Sequence, residues 1–473
     1  MQDTNQITVF RIIKLKPGIS IANYLAIILH NVVLGFFLNG IEFLQQNILS
    51  DPNYYNLAAE DALETNANIT LFDLVVRLII TGFYGLLIDK LGRRKMVIAG
   101  YIVTTIGVVL FPIDGYDSYF DNVFPWYYLI RFIYSNGAAI VTLMPFIADY
   151  IEDESKGKAT GINTVALTIG FLLATSGVKL FYNDIGMNLK YVYLITAGCI
   201  FFFGMFYAYF LKGGNEYYRV TPVPVPKRSD ASNFNNNIPE SQSAEQPKVI
   251  NFKYMIRAIN ERPWIKASFI FALLNGANMG IVSQILSLFV RSLSNDPNSD
   301  AGSEVSQFAN IGGIIITVVL GVMLDYVAPL YISATMLVFS VAGYATIWGV
   351  HSATDGLMIF VGVVAGISYS STQLFMNYLG FIYYPSEIRG RLYAAANVMS
   401  LLGNLIVTVI GGNLVRYLTQ YAPFYFTIAL TVIGLALFIV LYLKSIRKWE
   451  RRKNKIASVD SQSLLLPEEK DTE

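Results

Sequence analysis

The sequence predicts an all-α membrane protein, with twelve transmembrane helices and both termini in the cytoplasm. Three observations lead to this fold class: the composition, the long apolar stretches and the placement of the cations. The chain has 473 residues, of which 54% are hydrophobic and 14% charged, and its mean hydropathy is +0.48. A soluble domain does not need so much apolar sequence. The net charge of +1 gives no electrostatic footprint for nucleic acid.

Twelve apolar stretches, here numbered as spans 1 to 12, are long enough to cross a bilayer, which takes about 20 helical residues. Helices are expected because lipid cannot satisfy the hydrogen bonds of an open backbone. In the first half the spans are Ala22–Leu49, Ile69–Asp89, Met96–Pro112, Phe124–Tyr150, Ala159–Tyr182 and Tyr191–Leu211. In the second half they are Ile265–Val290, Ser306–Tyr326, Pro329–Val350, Leu357–Ile382, Leu392–Tyr417 and Pro423–Lys444.

The cations set the orientation. Most of the 34 Lys and Arg residues fall in the N-terminal segment, after spans 2, 4 and 10, between the halves or in the tail. Cytoplasmic segments carry the excess of Lys and Arg, so both termini are predicted to be cytoplasmic. The exceptions, on the far side or inside a span, are Lys190, Arg291, Arg416, Arg77, Arg131 and Lys179.

The chain divides into five segments. They are a cytoplasmic N-terminus (1–21), the first bundle (22–212), a cytoplasmic linker (213–264), the second bundle (265–444) and a cytoplasmic tail (445–473). The linker up to about Val249 is rich in Pro, Asn and Ser, which predicts disorder. From Phe252 to Ile259 apolar residues recur at helical spacing, which predicts a short amphipathic helix on the inner membrane surface, ended by Pro263.

The two halves share landmarks at nearly constant offsets. Gly157 and Gly390, each preceded by a basic residue, lie 233 residues apart, and Gly85 and Gly321, each followed four residues later by Asp, lie 236 apart. Such agreement indicates a six-span unit duplicated in the same orientation.

The loop after span 2 carries a family resemblance. Gly85-x-Leu87-x-Asp89-Lys90-x-Gly92-Arg93-Arg94-Lys95 resembles the loop 2–3 motif of the major facilitator superfamily, G-x-L-x-D-x-x-G-R-[RK]-[RK]. The resemblance covers the membrane part of the chain and implies two six-helix bundles around a central cavity, with alternating access by rocking of the halves. Asn39-Gly40-Ile41-Glu42 and Tyr384–Gly390 are similar to motifs of the sugar, organic-ion and synaptic-vesicle-protein-like branches.

The resemblance also implies a gate at the cytoplasmic face. Asp89 would meet the start of span 11, and Arg93 or Arg94 would pair with Asp149 at the end of span 4. Gly85 would allow a close approach of another backbone, and Gly92 would allow the turn. The alternative is that these cations only anchor the topology. The second copy of the gate is represented by Asp325, Glu387 and Arg389, and the cations of the first loop are missing after Asp325.

Charges inside spans are costly and usually face a cavity or a partner. Glu42, Arg77 and Arg131 each lie at a similar depth below the predicted outer ends of their spans. We expect Glu42 and Arg131 to act in substrate recognition or proton coupling, with a structural ion pair as the alternative. Arg77 is expected either to contact the solute or simply to be neutralised by Asp73, one helical turn away.

Polar residues in the second half are candidate solute contacts. On spans 7 and 10 these are Asn278, Gln284, Gln373 and Asn377, although polar side chains between bundle helices also serve structure. Tyr369 and Tyr378 could add aromatic surface, and His30 is expected to be a packed, hydrogen-bonded histidine. No metal cluster, nucleophilic triad or phosphate-binding loop can be assembled, so neither enzymatic activity nor a cofactor is expected.

The favoured function is a secondary active transporter of a small polar organic solute, with an organic anion and proton coupling as specific expectations. A facilitative uniporter of a sugar-like or organic-ion solute is one alternative, and a non-transporting receptor or scaffold on the same fold is the other. We expect a monomer in a lipid bilayer. Leu464 and Leu465 follow Asp460 as in an acidic dileucine signal, so the plasma membrane competes with endosomal or vacuolar membranes.

Overall fold

The computed structural model describes residues 8–9, 12–51, 53–57, 59–113, 123–142, 150–212, 252–293, 301–324, 326–385, 388–411, 419 and 421–448 of the chain. These residues are mostly helical. They also contain a two-stranded antiparallel hairpin that the sequence analysis does not anticipate, formed by β1 (Thr8–Val9) and β2 (Ile13–Lys14).

The described helices follow the predicted order. In the first half they are α1 (Ile21–Ser50), α2 (Ala59–Leu91), α3 (Arg93–Leu110), α4 (Trp126–Thr142), α5 (Lys156–Val178) and α6 (Leu189–Phe210). In the second half they are α7 (Phe252–Glu261), α8 (Pro263–Gly280), α9 (Leu286–Leu293), α10 (Ala301–Met323), α11 (Pro329–Ala345), α12 (Gly356–Tyr383), α13 (Arg389–Leu405) and α14 (Ala422–Leu441). A π-helical turn, Ile281–Ile285, joins α8 to α9, and α7 is the predicted amphipathic helix.

Within the described ranges, eleven helices are long and apolar enough to cross a membrane by length and composition. The predicted fourth span is the one outside this set, because α4 is described over only 17 residues and residues 143–149 lie outside the described ranges. Large apolar side chains such as Ile79 and Phe202, each 70% exposed, cover the outer helix surfaces. That surface suits lipid rather than water.

The turn between α2 and α3 is tighter than the sequence analysis expects. Gly92 has a φ of +86°, which L side chains rarely adopt, and this one residue reverses the chain. The three cations that follow Gly92 therefore lie in the first turn of α3 and not in a loop. Arg94 places its guanidinium 5.0 Å from the ring centroid of Tyr209 on α6, a cation–π contact.

The helices of each half pack mainly against one another. In the first half α1 lies against α5 and α6, and α3 against α4 and α6; in the second half α8 lies against α12 and α13, and α10 against α12. The halves meet where α2 packs on α13 and where α5 packs on α10 and α12. We name the end at which α1, α5 and α13 begin and α2, α6 and α12 end the terminal face, because the N-terminal hairpin lies there.

Candidate functional site

A cavity of about 150 Å³ lies between the two halves of the chain. Its wall is formed by α1, α2, α4 and α5 from the first half and by α8, α12 and α13 from the second. On α1 the lining runs from Ile27 to Leu38, and on α12 from Tyr369 to Phe381. These are the parts of α1 and α12 nearer the terminal face, so the cavity lies in that half of the bundle.

Carboxamide side chains dominate the polar lining of the cavity. They come from both halves and are Asn31, Asn163, Asn275, Gln373, Asn377, Asn397 and Asn404. Asn31 Nδ2 donates a hydrogen bond to Asn163 Oδ1 at 2.6 Å, which joins α1 to α5. A carboxamide both donates and accepts hydrogen bonds, so this wall can bind hydroxyl or amide groups as donors or as acceptors.

Several buried polar atoms in this wall have no hydrogen-bond partner among the described residues. They are Arg77 Nε, Thr81 Oγ1, Thr164 Oγ1, Asn275 Oδ1 and Asn404 Oδ1. Buried polar atoms in proteins are normally hydrogen-bonded, and an unpaired one costs about 1–3 kcal/mol. Both halves of the chain thus contribute unpartnered polar atoms to the wall of this one cavity.

Four ionisable side chains meet at the end of the cavity that is farther from the terminal face. Arg131 is completely buried, and its Nη2 contacts Glu42 Oε1 and, at 3.4 Å, Asp73 Oδ2. Arg77 Nη2 lies 2.9 Å from the same Asp73 oxygen, and the Ser135 hydroxyl donates to Asp73 Oδ1. Two cations thus balance two anions, as a buried cluster requires.

The network thus joins the three intramembrane charges that the sequence singles out and adds Asp73 as the shared partner. Arg77 is the member that lines the cavity. Glu42 lies one helical turn beyond the lining residue Leu38, and Asp73 one turn beyond Arg77, both toward the face opposite the terminal face. The network therefore extends from the cavity wall at Arg77 toward that opposite face, within the first half of the chain.

The second-half candidates divide between the cavity and the bundle interior. Gln373 and Asn377 line the cavity, as does Tyr369, whose ring stacks on Phe171 with centroids 5.7 Å apart. Asn278 does not. Its Nδ2 donates to Ser368 O at 3.4 Å, and its Oδ1 accepts from Tyr344 at 2.9 Å, which ties α8 to α12 and α11.

Gln284 is buried in the π-helical turn after α8, outside the described cavity wall. Tyr378, which the sequence analysis considered as aromatic surface, directs its hydroxyl to Leu324 O at 3.4 Å. His30 is packed and hydrogen-bonded as expected, with its Nδ1 2.7 Å from the Tyr101 hydroxyl, and it also borders the cavity.

Two close helix crossings hold the halves together near the terminal face. A Cβ added to Gly85 on α2 would lie 2.7 Å from the Ala394 Cβ on α13, and one added to Gly161 on α5 would lie 3.0 Å from the Gly321 Cα on α10. The two crossings are repeat equivalents, because Gly161 and Ala394 are separated by the same 233 residues as Gly157 and Gly390. The duplicated glycine motif thus forms two symmetric contacts between the halves.

Three cations cap the end of α12 at the terminal face. Lys156 Nζ of α5 donates to Phe381 O at 3.4 Å, Arg262 Nη1 to Tyr383 O at 3.1 Å, and Arg389 Nη2 to Tyr384 O at 3.5 Å. The last carbonyls of a helix lack helical donors, and the negative end of its dipole favours cations. Pro385 has no N–H, so the usual donor to Phe381 O is missing. Lys156 makes this contact from the other half of the chain.

Several predicted gate residues cannot be placed. Asp149, Asp325 and Glu387 lie outside the described residues, as does the side chain of Asp89. The helix that carries Asp89 does pack on α13, the predicted partner span.

The sequence model of the Major Facilitator Superfamily matches residues 32–407. The chain belongs to this family. It is therefore a multi-pass membrane protein of a transporter family rather than an enzyme, and its helices have the major facilitator fold.

The related proteins share little sequence identity with this chain. The magnetosome protein MamH of Paramagnetospirillum magneticum is 20% identical over 79% of this chain and 82% of its own length. Multidrug resistance protein 1 of Bacillus subtilis is 22% identical over 77% of this chain and 83% of its own length.

Solved structures of the superfamily share the fold at low identity. The proton:xylose symporter XylE, bound to 6-bromo-6-deoxy-D-glucose, matches with a TM-score of 0.65 and 15% identity, over 90% of this chain and 95% of its own. The human organic anion transporter MFSD10 (TETRAN) matches with a TM-score of 0.60 and 11% identity, over 88% of this chain and 97% of its own.

Part of the cavity wall of this superfamily member lies outside the sequence-based candidates. Asn31, Asn163, Asn397 and Asn404 were not selected, although each is a carboxamide inside an apolar stretch. The available signal was that Asn397 and Asn404 lie seven residues apart and hence on one helix face. Which face points to the cavity depends on helix rotation.

Proposed function

We propose that the chain is a secondary active transporter that moves a small polar organic solute through this cavity by alternating access. The observation that carries the proposal is the set of unpartnered buried polar atoms contributed to one cavity by both halves. A site divided between two halves that rock against each other binds a solute and then exposes it on the other side. The XylE and MFSD10 neighbours support a small-solute substrate class.

We further propose that the solute carries no net charge. Arg77 is the one Asp, Glu, Lys or Arg side chain in the described cavity wall, and Asp73 balances it at 2.9 Å. Arg131 lies beyond the wall and is paired. This arrangement weakens the organic-anion expectation. The carboxamides favour hydroxyl or amide groups, and a cavity of about 150 Å³ is the size that takes up one six-membered ring.

The charge network is the proposed coupling element. Protonation of Glu42 would remove its charge from Arg131 and leave Arg131 to Asp73, which Arg77 shares. Arg77 reaches the solute, so the protonation state of the network and the occupancy of the cavity would be linked. Proton symport is the expected mode, and a uniporter would show no such link.

Both termini and the terminal face are proposed to be cytoplasmic, by the distribution of cations. The proposed assembly is a monomer, in the plasma membrane or an endosomal or vacuolar membrane.

Matched pairs of solutes test the charge and size of the substrate. Purified protein would be heated with xylose and xylonate, and with glucose and glucuronate, because a ligand that binds the folded state raises the apparent unfolding temperature. The neutral member of a pair should stabilise the protein and enter proteoliposomes. Preference for the acids would overturn neutrality, and a bound solute with no flux at any pH or sodium concentration would support a receptor.

Two carboxamides of the second half provide a matched mutational test. Gln373→Ala should weaken binding of an identified solute about 5–30-fold, because one hydrogen bond to the solute is worth roughly 1–2 kcal/mol. Asn278→Ala should leave affinity unchanged and lower the unfolding free energy by about 1–3 kcal/mol, since Tyr344 loses its acceptor. Equal loss of affinity in both variants would contradict the assignment of the cavity wall.

A further inference from the structure

The described part of the N-terminal segment, residues 8–9 and 12–19, folds against the terminal face. Its apolar residues Val9, Ile13, Leu15 and Ile19 are between 0% and 4% exposed, whereas Ile12 between them is 47% exposed. The burial pattern shows that one side of this segment packs against the rest of the protein.

The segment pairs with the stretch that leads into α5, as an added strand. Residues 14–16 run antiparallel to residues 150–152, with a β-bridge between Leu15 and Ile151. The backbone hydrogen bonds are Lys16 N to Tyr150 O (2.9 Å) and Glu152 N to Lys14 O (3.1 Å), and Lys14 N donates to Ser155 Oγ at 3.1 Å.

An ion pair adds to these backbone contacts. Lys14 Nζ lies 2.6 Å from Glu154 Oε2, which raises the pKa of Lys14 and lowers the pKa of the Glu154 carboxyl, so both stay charged near neutral pH. The two side chains are 42% and 72% exposed. Such an exposed pair contributes little stability. Salt screens it, and exchanging the two charges by mutation can test it.

The same segment holds the end of α6. Lys212 Nζ donates to Gly18 O at 2.6 Å, and Asn23 Nδ2 donates to Phe210 O at 2.7 Å. The Tyr150 hydroxyl donates to Lys212 O at 2.6 Å, which closes a ring of contacts around the stretch 150–155.

The residue that follows this stretch crosses to the other half of the chain. Ser155, bonded to Lys14 N, is 4% exposed and directly precedes Lys156, whose Nζ reaches Phe381 O on α12. Phe381 also borders the cavity. The N-terminal segment thus binds the residue directly before Lys156, which joins the halves beside the cavity.

We propose that residues 8–9 and 12–19 form a clasp that holds the start of α5 where Lys156 caps α12, and so keeps the terminal face closed over the cavity. The proposal rests on the proposed function, because it describes regulation of the same cavity. Release of the clasp frees the stretch 150–155, weakens the Lys156 contact and favours opening on that face. A segment that served only for folding would not change access to the cavity.

The test measures access to the cavity and needs no solute. In a Cys199→Ser background, Thr81→Cys places a reporter thiol on the cavity wall, where Thr81 is 0% exposed. Labelling by a water-soluble maleimide in detergent then reports opening. Ile13→Asp should raise the labelling rate at least threefold by releasing the clasp, and Ile12→Asp, the same change at an exposed neighbour, should leave it unchanged.

If Ile13→Asp does not fold, reversal of the ion pair between Lys14 and Glu154 provides a second test. Lys14→Glu places a negative charge beside Glu154 and should raise the labelling rate, and the double variant Lys14→Glu, Glu154→Lys should restore it. Labelling that is the same in Ile13→Asp and Ile12→Asp, or unaffected by Lys14→Glu where Ile13→Asp does not fold, overturns the clasp. Because no solute is used, this result is independent of the solute tests above.

Discussion

Arg131 illustrates what a single residue contributes to this site. It is 0% exposed and touches both Glu42 and Asp73, so removal of either acid would leave a buried cation with one partner. Loss of one partner from a buried pair typically costs about 3–5 kcal/mol, less when an amide oxygen remains as acceptor. The network is therefore both a structural necessity and a candidate switch, and only a pH-resolved measurement separates these roles.

Glu42→Gln should flatten the pH dependence of solute uptake, because the amide cannot gain or lose the coupling proton. Uptake into proteoliposomes between pH 5 and pH 8 measures this, with the unfolding temperature recorded as a check on folding. Glu304→Gln is the matched control, since Glu304 is an exposed carboxylate on α10, 3.8 Å from Lys179. A folded Glu42→Gln variant that keeps the pH profile of the unchanged protein would contradict the coupling role.

At the scale of elements, the crossings of α2 with α13 and of α5 with α10 depend on glycine residues, which have no side chain. Glycine at positions 85, 161 and 321 lets the helices of opposite halves approach closely. The hydrophobic effect adds little between helices in lipid, so this close van der Waals contact is a main source of cohesion. Small changes of volume there should alter the balance between closed and open states.

Gly85→Ala should weaken the closed terminal face by about 1–3 kcal/mol, because its Cβ would overlap the Ala394 Cβ. With the Thr81→Cys reporter, the labelling rate should rise about 5–140-fold, since 1.4 kcal/mol is a factor of ten. Gly82→Ala is the matched control on the same helix, where an added Cβ meets nothing within 4 Å. Faster labelling in both variants would show that the effect is not specific to the crossing.

At the scale of the whole molecule, the two halves share a repeat but not its chemistry. The glycine crossings are symmetric, whereas the cations after Gly92 have no counterparts after Asp325. Lys156 crosses between the halves to Phe381, while its repeat equivalent Arg389 reaches Tyr384 within its own half. Closure of the terminal face should therefore depend mainly on groups from the first half.

Neutralising the first gate acid should consequently slow transport more than neutralising the second. Asp89→Asn is expected to reduce solute exchange across proteoliposome membranes several-fold more than Asp325→Asn, because only the first copy is followed by cations. Rates of exchange at saturating solute on both sides measure the full cycle. Equal losses in the two variants would argue against an asymmetric gate.

Much of the site could be predicted from residue chemistry, and the rest could not. Intramembrane charges are so costly that Glu42, Arg77 and Arg131 stand out from sequence alone. Asn275 and Asn278 are chemically identical and three residues apart, yet only the first lines the cavity. Their difference is a rotation of α8 set by its neighbours, which no local pattern encodes. The N-terminal hairpin was missed because its strands are two residues long and owe their order to the stretch 150–152.

The sequence by itself determined the membrane environment, the approximate helices, the internal repeat and the family, because each depends on hydropathy, charge or a motif along the chain. Only the tertiary structure decided which polar side chains share the cavity, that Asp73 links the two arginines, and that the N-terminal segment is bound beside Lys156. These are contacts between residues far apart in the chain. They depend on helix rotation and on the packing of one half against the other, and the local sequence pattern determines neither.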